Sequence, residues 1–216
     1  VIAGNHIFRC NRGIWRDWMN QGSRTTRNLV HGIGPGEDLF VEVNHGPFLV
    51  DDNLLLSPHG LLVNSQGGAY VHNLIAGDVR VDHHEQRQTP AHPAHSTAVA
   101  GLYGNPSGDD RYYNNVFVGG GLAAYDAARL PVFMAGNAFL GGARPSRHEA
   151  APFVDAAPHR LALVPRSDGL WLRLAAQAPV GHVASAVMLN SKMIVGMRLP
   201  AVIGLTHSLG RKVRDA

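Results

Sequence analysis

The sequence predicts an all-β protein that folds as a right-handed parallel β-helix, with a small β-rich segment at its C-terminal end. The main observation is a short phrase that recurs along the chain, an Asn followed two residues later by an apolar residue. It occurs at Asn5, Asn28, Asn53, Asn73, Asn115 and Asn137. The intervals of 23, 25, 20, 42 and 22 residues indicate a solenoid in which each repeat is one structural unit. Each unit is too short and too rich in Gly and β-branched residues for a pair of helices, which favours short strands.

The order of elements follows from where the phrase appears and where it stops. Residues 1–77 predict regular coils, in which each Asn holds a bend and stacks on the next Asn. Residues 78–111 lack a usable period, account for the doubled interval, and indicate an inserted loop. The phrase returns over 112–142, so we expect β-helix coils over 1–150. Residues 151–216 lack the phrase, and we expect there a C-terminal β-rich segment that starts with a hairpin around Ser167-Asp168-Gly169.

The composition argues against several classes of function. Of 216 residues, 45% are hydrophobic and 16% charged, and the net charge of +3 comes without a run of Lys or Arg, which argues against nucleic-acid binding. No apolar run is long enough to span a membrane. Cys10 is the single cysteine, so the compartment stays open between the cytoplasm and the periplasm or secretion. The chain enters a repeat at Val1 without a capping element, and we expect it to be the C-terminal part of a longer protein.

Two carboxylates are predicted to lie side by side on neighbouring coils. Asp17 and Glu42 follow their Asn residues at similar distances and are 25 residues apart, which is one coil. Residues one coil apart stack on adjacent strands about 4.8 Å apart. Alternation turns Val41 and Val43 inward, so Glu42 faces outward, and the same reasoning applies to Asp17. The sequence thus predicts two acids on the outer face of a sheet, beside Trp15.

A carboxylate pair at this spacing suits a retaining glycosidase. Such enzymes use two carboxyl groups about 5–5.5 Å apart, one as nucleophile and one as general acid/base. Two like charges so close do not both ionise at low cost, so we expect Glu42 to hold the proton and Asp17 to stay ionised, aided by Arg12 or Arg16. Two structural readings stay open: the acids are simply solvated, or they bind a cation such as calcium.

Three long motifs resemble glycoside hydrolase family 120. They are Gly-Ile-Trp-Arg-Asp-Trp-Met-Asn-Gln-Gly (13–22), Asp-Leu-Phe-Val-Glu-Val-Asn-His-Gly-Pro-Phe-Leu-Val-Asp-Asp-Asn (38–53) and Ser-Gln-Gly-Gly-Ala-Tyr-Val-His-Asn-Leu-Ile-Ala-Gly (65–77). The resemblance implies a retaining exo-β-xylosidase on a right-handed parallel β-helix, acting on short xylo-oligosaccharides through a covalent glycosyl-enzyme. It places the nucleophile on Asp17 and the acid/base on Glu42. It also implies that an N-terminal part with an inserted β-sandwich precedes this chain.

The sequence departs from the family pattern at two places. Arg16 stands where the pattern has an apolar residue, and alternation points it inward beside Ile14. A buried Arg without a partner costs several kcal/mol. Residues 181–216 do not follow the usual C-terminal run of the family.

The other candidate residues lie near the acidic pair or in the inserted loop. We expect the substrate to be bound by Trp15, Trp18, Asn44, His45, Gln66, His72 and His95. For Asn44, His45, Gln66 and His72, a purely structural role in a bend or a ladder stays open. His83, His84, His92 and His95 match no tight zinc pattern, so a rim around the sugar site is favoured over a metal cluster. Asp109 and Asp110 either belong to the same rim or hold a turn, and the turn is favoured. We expect an oligosaccharide partner, no metal or other cofactor, no nucleic acid and no membrane, and we leave homo-oligomers open.

Two alternative functions belong to other classes. A polysaccharide lyase is common among β-helices, but it abstracts a proton with a basic residue, whereas acids occupy this face. A non-catalytic β-helix that binds glycans would keep the fold without turnover.

Overall fold

The computed structural model describes residues 1–176 and 193–194 and shows a parallel β-helix of about six turns. This confirms the predicted fold class. Most of the expectation for 181–216 lies outside the described residues. Each full coil passes through three sheets, which we call A, B and C in the order that the chain visits them.

The three sheets are built from short parallel strands. Sheet A contains Ile2–Ala3, Arg24–Thr26, Phe48–Asp51, Gly68–Val71, Arg111–Tyr113 and Phe133–Ala135. Sheet B contains His6–Phe8, Leu29–His31, Leu54–Leu55, the first half of Leu74–Val81, Val116–Gly119, Ala138–Leu140 and Phe153–Asp155. Sheet C contains Ile14–Arg16, Leu39–Glu42, His59–Asn64 and the second half of Leu74–Val81. A short 3-10 helix, Ala123–Ala127, follows the sheet B strand Val116–Gly119 and precedes the sheet A strand Phe133–Ala135.

Two antiparallel units depart from the coils. In the insertion, Gln88–Ala91 pairs with Gly101–Gly104. After the coils, His159–Arg166 pairs with Gly169–Ala176, which also pairs with Met193–Ile194, so the hairpin expected around Ser167-Asp168-Gly169 is present. Its side chains Leu161, Leu163 and Leu172 pack on the outer face of sheet B. Among the described residues, we find no helix with the length and apolarity needed to cross a bilayer.

The recurring Asn residues form a buried ladder between sheets A and B. From Asn28 onward, the Oδ1 atom of each Asn accepts bonds from the backbone and the side chain of the Asn one coil earlier; at Asn53 these come from Asn28 N at 3.0 Å and Asn28 Nδ2 at 2.9 Å. The ladder ends on Glu149, whose Oε2 accepts from Asn137 Nδ2 at 2.6 Å. Burial raises the pKa of Glu149, and the bond from Asn137 opposes this shift.

The left-handed backbone conformation lies one residue before each ladder Asn. Positive φ occurs at Gly4, Arg27, Asp52, His72, Asn114 and Gly136. The sequence predicts that each Asn holds the bend, and the structure corrects this. The preceding residue makes the bend, and the Asn side chain bridges the coils.

Inward residues fill the interior, which includes a polar cluster. Tyr70 and Tyr112 stack with ring centroids 4.4 Å apart, and Tyr112 Oη lies 2.8 Å from Tyr125 Oη. Asp110 is fully buried and accepts from Tyr125 Oη at 2.9 Å and from Gly68 N at 2.8 Å. Burial raises the pKa of Asp110 to about 8. Asp110 thus joins its own coil to Gly68 on the preceding coil and to the hydroxyl of Tyr125.

Candidate active site

The two acids lie at the corner where sheet C ends and the chain turns toward sheet A. Arg16 and Val41 are paired in register, so Asp17 and Glu42 are the next residues on adjacent coils. Trp15 and Asp17 are exposed, whereas Arg16 and Val41 are buried, which puts both acids on the outer side. Adjacent strands in such a sheet are about 4.8 Å apart.

A second polar ladder holds this corner. Asn20 N donates to Asn44 Oδ1 at 2.6 Å, and Asn44 N donates to Ser65 Oγ at 2.9 Å. Three residues separate Arg16 from Asn20, but two separate Val41 from Asn44. The first corner therefore carries one extra residue, so Asp17 and Trp18 together face Glu42. Extra residues of this kind re-aim side chains next to active sites.

Asn44 is part of this ladder and is not available to a sugar, which corrects its predicted role. It is fully buried, and its Nδ2 donates to Arg16 O at 3.1 Å and to Glu42 O at 2.8 Å. The residue before it, Val43, has φ of 44°, a conformation that β-branched residues rarely adopt. Asn44 and the strained Val43 fix the main chain immediately after Glu42.

The carboxylate of Glu42 is held by two donors. Trp15 Nε1 donates to Oε2 at 2.7 Å, and Arg87 Nη1 donates to Oε1 at 2.6 Å. Arg87 also binds Glu85 through two bonds, Nε to Oε1 at 2.8 Å and Nη2 to Oε2 at 2.5 Å. Two donors, one of them a cation, suit an ionised carboxylate. The expectation that Glu42 holds the proton took account only of apolar neighbours in sequence and did not include these two donors.

Asp17 lies in an exposed turn. Its Oδ1 accepts from Trp18 N at 2.8 Å, and Asn20 Nδ2 donates to its main-chain oxygen. The predicted aid from arginines is not seen. Arg12 binds Glu37 at 2.9 Å and lies over the Trp15 ring, with 5.0 Å from its Cζ to the ring centroid.

Arg16 points into the core, as alternation predicts, and supports the turn from inside. Its Nη2 donates to Asn20 O at 3.2 Å and to Ser23 Oγ, and its guanidinium lies over the Phe48 ring at 4.6 Å. Burial lowers the pKa of Arg16 to about 10. The departure from the family pattern is thus accommodated by partners, although its Nη1 has none.

The insertion covers the corner. His45 Nε2 lies 3.1 Å from Thr89 O and 3.2 Å from Tyr103 O, beneath the two paired strands of the insertion. Gln21 and His92 exchange two bonds: Gln21 Nε2 donates to His92 O at 3.0 Å, and His92 N donates to Gln21 Oε1 at 2.8 Å. The insertion is therefore docked on the first two coils, beside both acids.

Removal of the Gln21 side chain should loosen this docking. Gln21→Ala deletes two hydrogen bonds, each contributing about 1 kcal/mol. We expect the amides of the insertion, around Thr89 and His92, to exchange with solvent about tenfold faster or more, while amides in sheet B stay protected. Hydrogen–deuterium exchange with peptide resolution measures this. Unchanged exchange in the insertion would contradict the docking.

The remaining predicted residues occupy different places. His45 and Gln66 line a pocket of about 360 Å³ together with Asp109 and Arg111, and Gln66 Oε1 is buried without a partner. His72 lies on the other corner, between sheets A and B, where its Nε2 is 3.4 Å from Asn114 Nδ2. It is therefore not beside the acidic pair. His95 is exposed in the stretch between the two insertion strands.

The histidines of the insertion are dispersed rather than gathered. His83 bonds Ser107 Oγ at 2.6 Å and Ala124 O at 2.8 Å, whereas His92 bonds Ala98 O at 3.0 Å. Within 1–176 and 193–194, no three His, Cys, Asp or Glu side chains are grouped as a metal would require.

Sequence reasoning missed Arg87 and Glu85, which contribute to the site from a segment without periodicity. It also missed Asn64, which is paired in register with Glu42 one coil further on. The second ladder had a visible signal, because Asn20 and Asn44 are 24 residues apart, close to the coil length.

Comparisons with known proteins give one informative similarity. No protein-family model matches the chain, and no curated protein matches it. A solved structure described as the complex of XylC with xylose is similar, with 35% sequence identity and a TM-score of 0.71. The match covers 80% of this chain and 32% of that protein, so the chain spans about a third of its length. In both sequence and fold, the chain is similar to one part of XylC.

Proposed function

We propose that the chain carries the catalytic acids of a retaining exo-β-xylosidase resembling glycoside hydrolase family 120. The observation that carries this proposal is the position of Asp17 and Glu42 directly after paired residues of adjacent strands, on the outer face of sheet C. The strand spacing of about 4.8 Å is close to the 5–5.5 Å that a retaining mechanism uses.

The roles follow from the surroundings of each acid. Asp17 is exposed and accepts one local bond, so it is free to attack the anomeric carbon of xylose. Glu42 would protonate the leaving oxygen as the glycosidic bond breaks, and would later take a proton from the water that releases the sugar.

Two indole rings at the site suit a pyranose. Trp15 is 53% exposed and Trp18 is 41% exposed; the indole Nε1 of Trp15 donates to Glu42, and the main-chain N of Trp18 donates to Asp17. We assign Trp15 and Trp18 to sugar contact, together with His45 and Gln66, which line the pocket beside Asp109 and Arg111.

The similarity to XylC supports a sugar as substrate, since that protein was solved with xylose. Because the chain spans about a third of that protein, residues elsewhere in the full-length protein would complete the substrate site. We propose short β-xylo-oligosaccharides as substrates, cleaved from the non-reducing end.

One observation favours the lyase alternative, but the electrostatics of the same residue argue against it. Arg87 brings a basic group to the acids, as a lyase requires. However, the hydrogen bond to Glu85 raises the pKa of Arg87, so this guanidinium is a poor proton acceptor. Hydrolysis is therefore the better-supported reaction.

The test is the stereochemistry of the first product. The full-length protein is incubated with 4-nitrophenyl β-xyloside in D₂O, and proton NMR follows the anomeric signals of the released xylose. We expect β-xylose first, followed by mutarotation, because two inversions retain configuration. α-Xylose as the first product would contradict the mechanism, and an unsaturated, ultraviolet-absorbing product from a uronate-containing oligosaccharide would favour the lyase.

A further inference from the structure

The acid Glu42 belongs to a chain of three charged groups. Arg87 uses its Nε and Nη2 on the two oxygens of Glu85, at 2.8 and 2.5 Å, and has Nη1 for Glu42 at 2.6 Å. The side chain of Glu85 is 6% exposed and that of Glu42 is 11% exposed. Two shielded carboxylates thus share one guanidinium. Glu85 receives the stronger two-bond arrangement, whereas the proposed acid/base Glu42 receives one bond.

We propose that Arg87 and Glu85, both supplied by the insertion, together set the pH at which Glu42 gains and loses its proton. This rests on the proposed function, in which Glu42 is the acid/base. Arg87 favours the ionised form of Glu42, and Glu85 offsets most of the charge that causes this. Both residues are positioning residues that act through Glu42.

The proposed reaction explains why such a balance is needed. In the first step the proton passes from Glu42 to the leaving oxygen while Asp17 bonds to the anomeric carbon. In the second step water bonds to that carbon, its proton passes to Glu42, and Asp17 is released. Glu42 therefore alternates between neutral and ionised forms, so neither form can be strongly favoured.

The other groups around Glu42 do not supply a compensating cation. From its own sheet, Trp15 donates a neutral N–H, and Asp17 and Asn64 flank it in register. Asp82, two coils on, accepts from His84 N at 2.7 Å.

The remaining basic groups near the corner bond elsewhere. His45 faces the carbonyls of Thr89 and Tyr103, and Arg12 is bound to Glu37. Among the described residues, Arg87 is the cation with a bond to Glu42.

Substitutions of Arg87 and Glu85 should therefore shift the pH dependence of the reaction in opposite directions. In Arg87→Gln, the ionised form of Glu42 loses its cation, so the basic limb of the kcat/KM profile should move up by about 1 pH unit. In Glu85→Gln, Arg87 is no longer neutralised, so the limb should move down by a similar amount. We expect a shift of the limb near the lower end of the range known for carboxylate–arginine pairs. Arg87 is 38% exposed, so solvent screens its charge.

Three further variants separate charge from structure. Glu85→Gln/Arg87→Gln removes both charges and should return the limb toward that of the wild type. Arg87→Lys keeps the charge and should leave the limb within a few tenths of a unit. Arg24→Gln is the matched control, because Arg24 is also an exposed arginine bound to a shielded carboxylate, Asp51, on another sheet. It should not move the limb.

A readout without turnover separates this proposal from the proposed function. Carbon-13 NMR of protein labelled at the glutamate carboxyls, with the Glu42 signal assigned by Glu42→Gln, follows the titration of Glu42 directly. We expect the same opposite shifts in Arg87→Gln and Glu85→Gln, even if no xyloside is hydrolysed. Shifts of equal sign, or an unshifted Glu42 titration in either variant, would overturn the proposal. Should Arg87→Gln fail to fold, the downward shift in Glu85→Gln carries the test alone.

Discussion

Replacement of Asp17 by alanine is expected to lower the hydrolysis of 4-nitrophenyl β-xyloside by about 10⁴-fold or more, because it removes the attacking group. The fold should stay intact, since Asp17 is exposed and its side chain accepts a single local bond. Steady-state rates, with circular dichroism as a check on folding, measure both effects.

Added azide then distinguishes the roles of the two acids. In Asp17→Ala, azide can occupy the space of the lost carboxylate and attack directly, which gives the α-xylosyl azide. In the matched variant Glu42→Ala, azide attacks the glycosyl-enzyme from the side of the missing base, which gives the β-xylosyl azide. Hydrolysis by Asp17→Ala at the wild-type rate would remove Asp17 from the mechanism, and exchanged azide products would reverse the two assignments.

The largest expected effect on stability comes from the centre of the Asn ladder. Asn53 is fully buried, and its Nδ2 donates to Thr25 O at 3.0 Å, Asp51 O at 2.9 Å and Asn73 Oδ1 at 3.0 Å. Its Oδ1 accepts two bonds from Asn28. Asn53→Ala leaves these partners buried and unpaired, at about 1–3 kcal/mol each before relaxation. We expect a loss of about 3–5 kcal/mol in the free energy of unfolding.

Urea denaturation measures this loss, with Asn114→Ala as the control. Asn114 lies at the same type of corner but is exposed, and its side chain makes one long contact to His72. Its substitution should cost about 1 kcal/mol, mainly because alanine is less suited to a φ of 55°. Equal losses in the two variants would contradict the ladder as a source of stability.

The coils could be predicted from the sequence because their most regular feature is also a chemical one. A ladder needs an amide side chain at one place in every coil, so Asn5 to Asn137 mark the period directly. The position of Glu42 beside Asp17 followed from the same period, since one coil brings residues onto adjacent strands.

Other features depend on geometry that the period does not contain. The repeat period predicts which coil a residue belongs to, but it does not predict at which corner of that coil the residue lies. His72 was therefore expected near the acids, although it lies at the corner between sheets A and B. Asn44 lies at the same corner as the acids, but its side chain belongs to the ladder that joins Asn20, Asn44 and Ser65. The spacing from each acid to this ladder differs, because the corner that contains Asp17 is one residue longer than the corner that contains Glu42. Arg87 reaches Glu42 from the insertion, whose fold back onto the first coils leaves no mark in local sequence.

The central claim is that Asp17 forms a covalent bond with the sugar, and trapping that intermediate tests it most directly. The full-length protein is incubated with 2,4-dinitrophenyl 2-deoxy-2-fluoro-β-xyloside, digested, and examined by tandem mass spectrometry. The account predicts one fluoroxylosyl group on the peptide that contains Asp17, and on the carboxylate of that residue. A label on Glu42 or on any other residue, or unlabelled protein that still hydrolyses xylobiose, would contradict it.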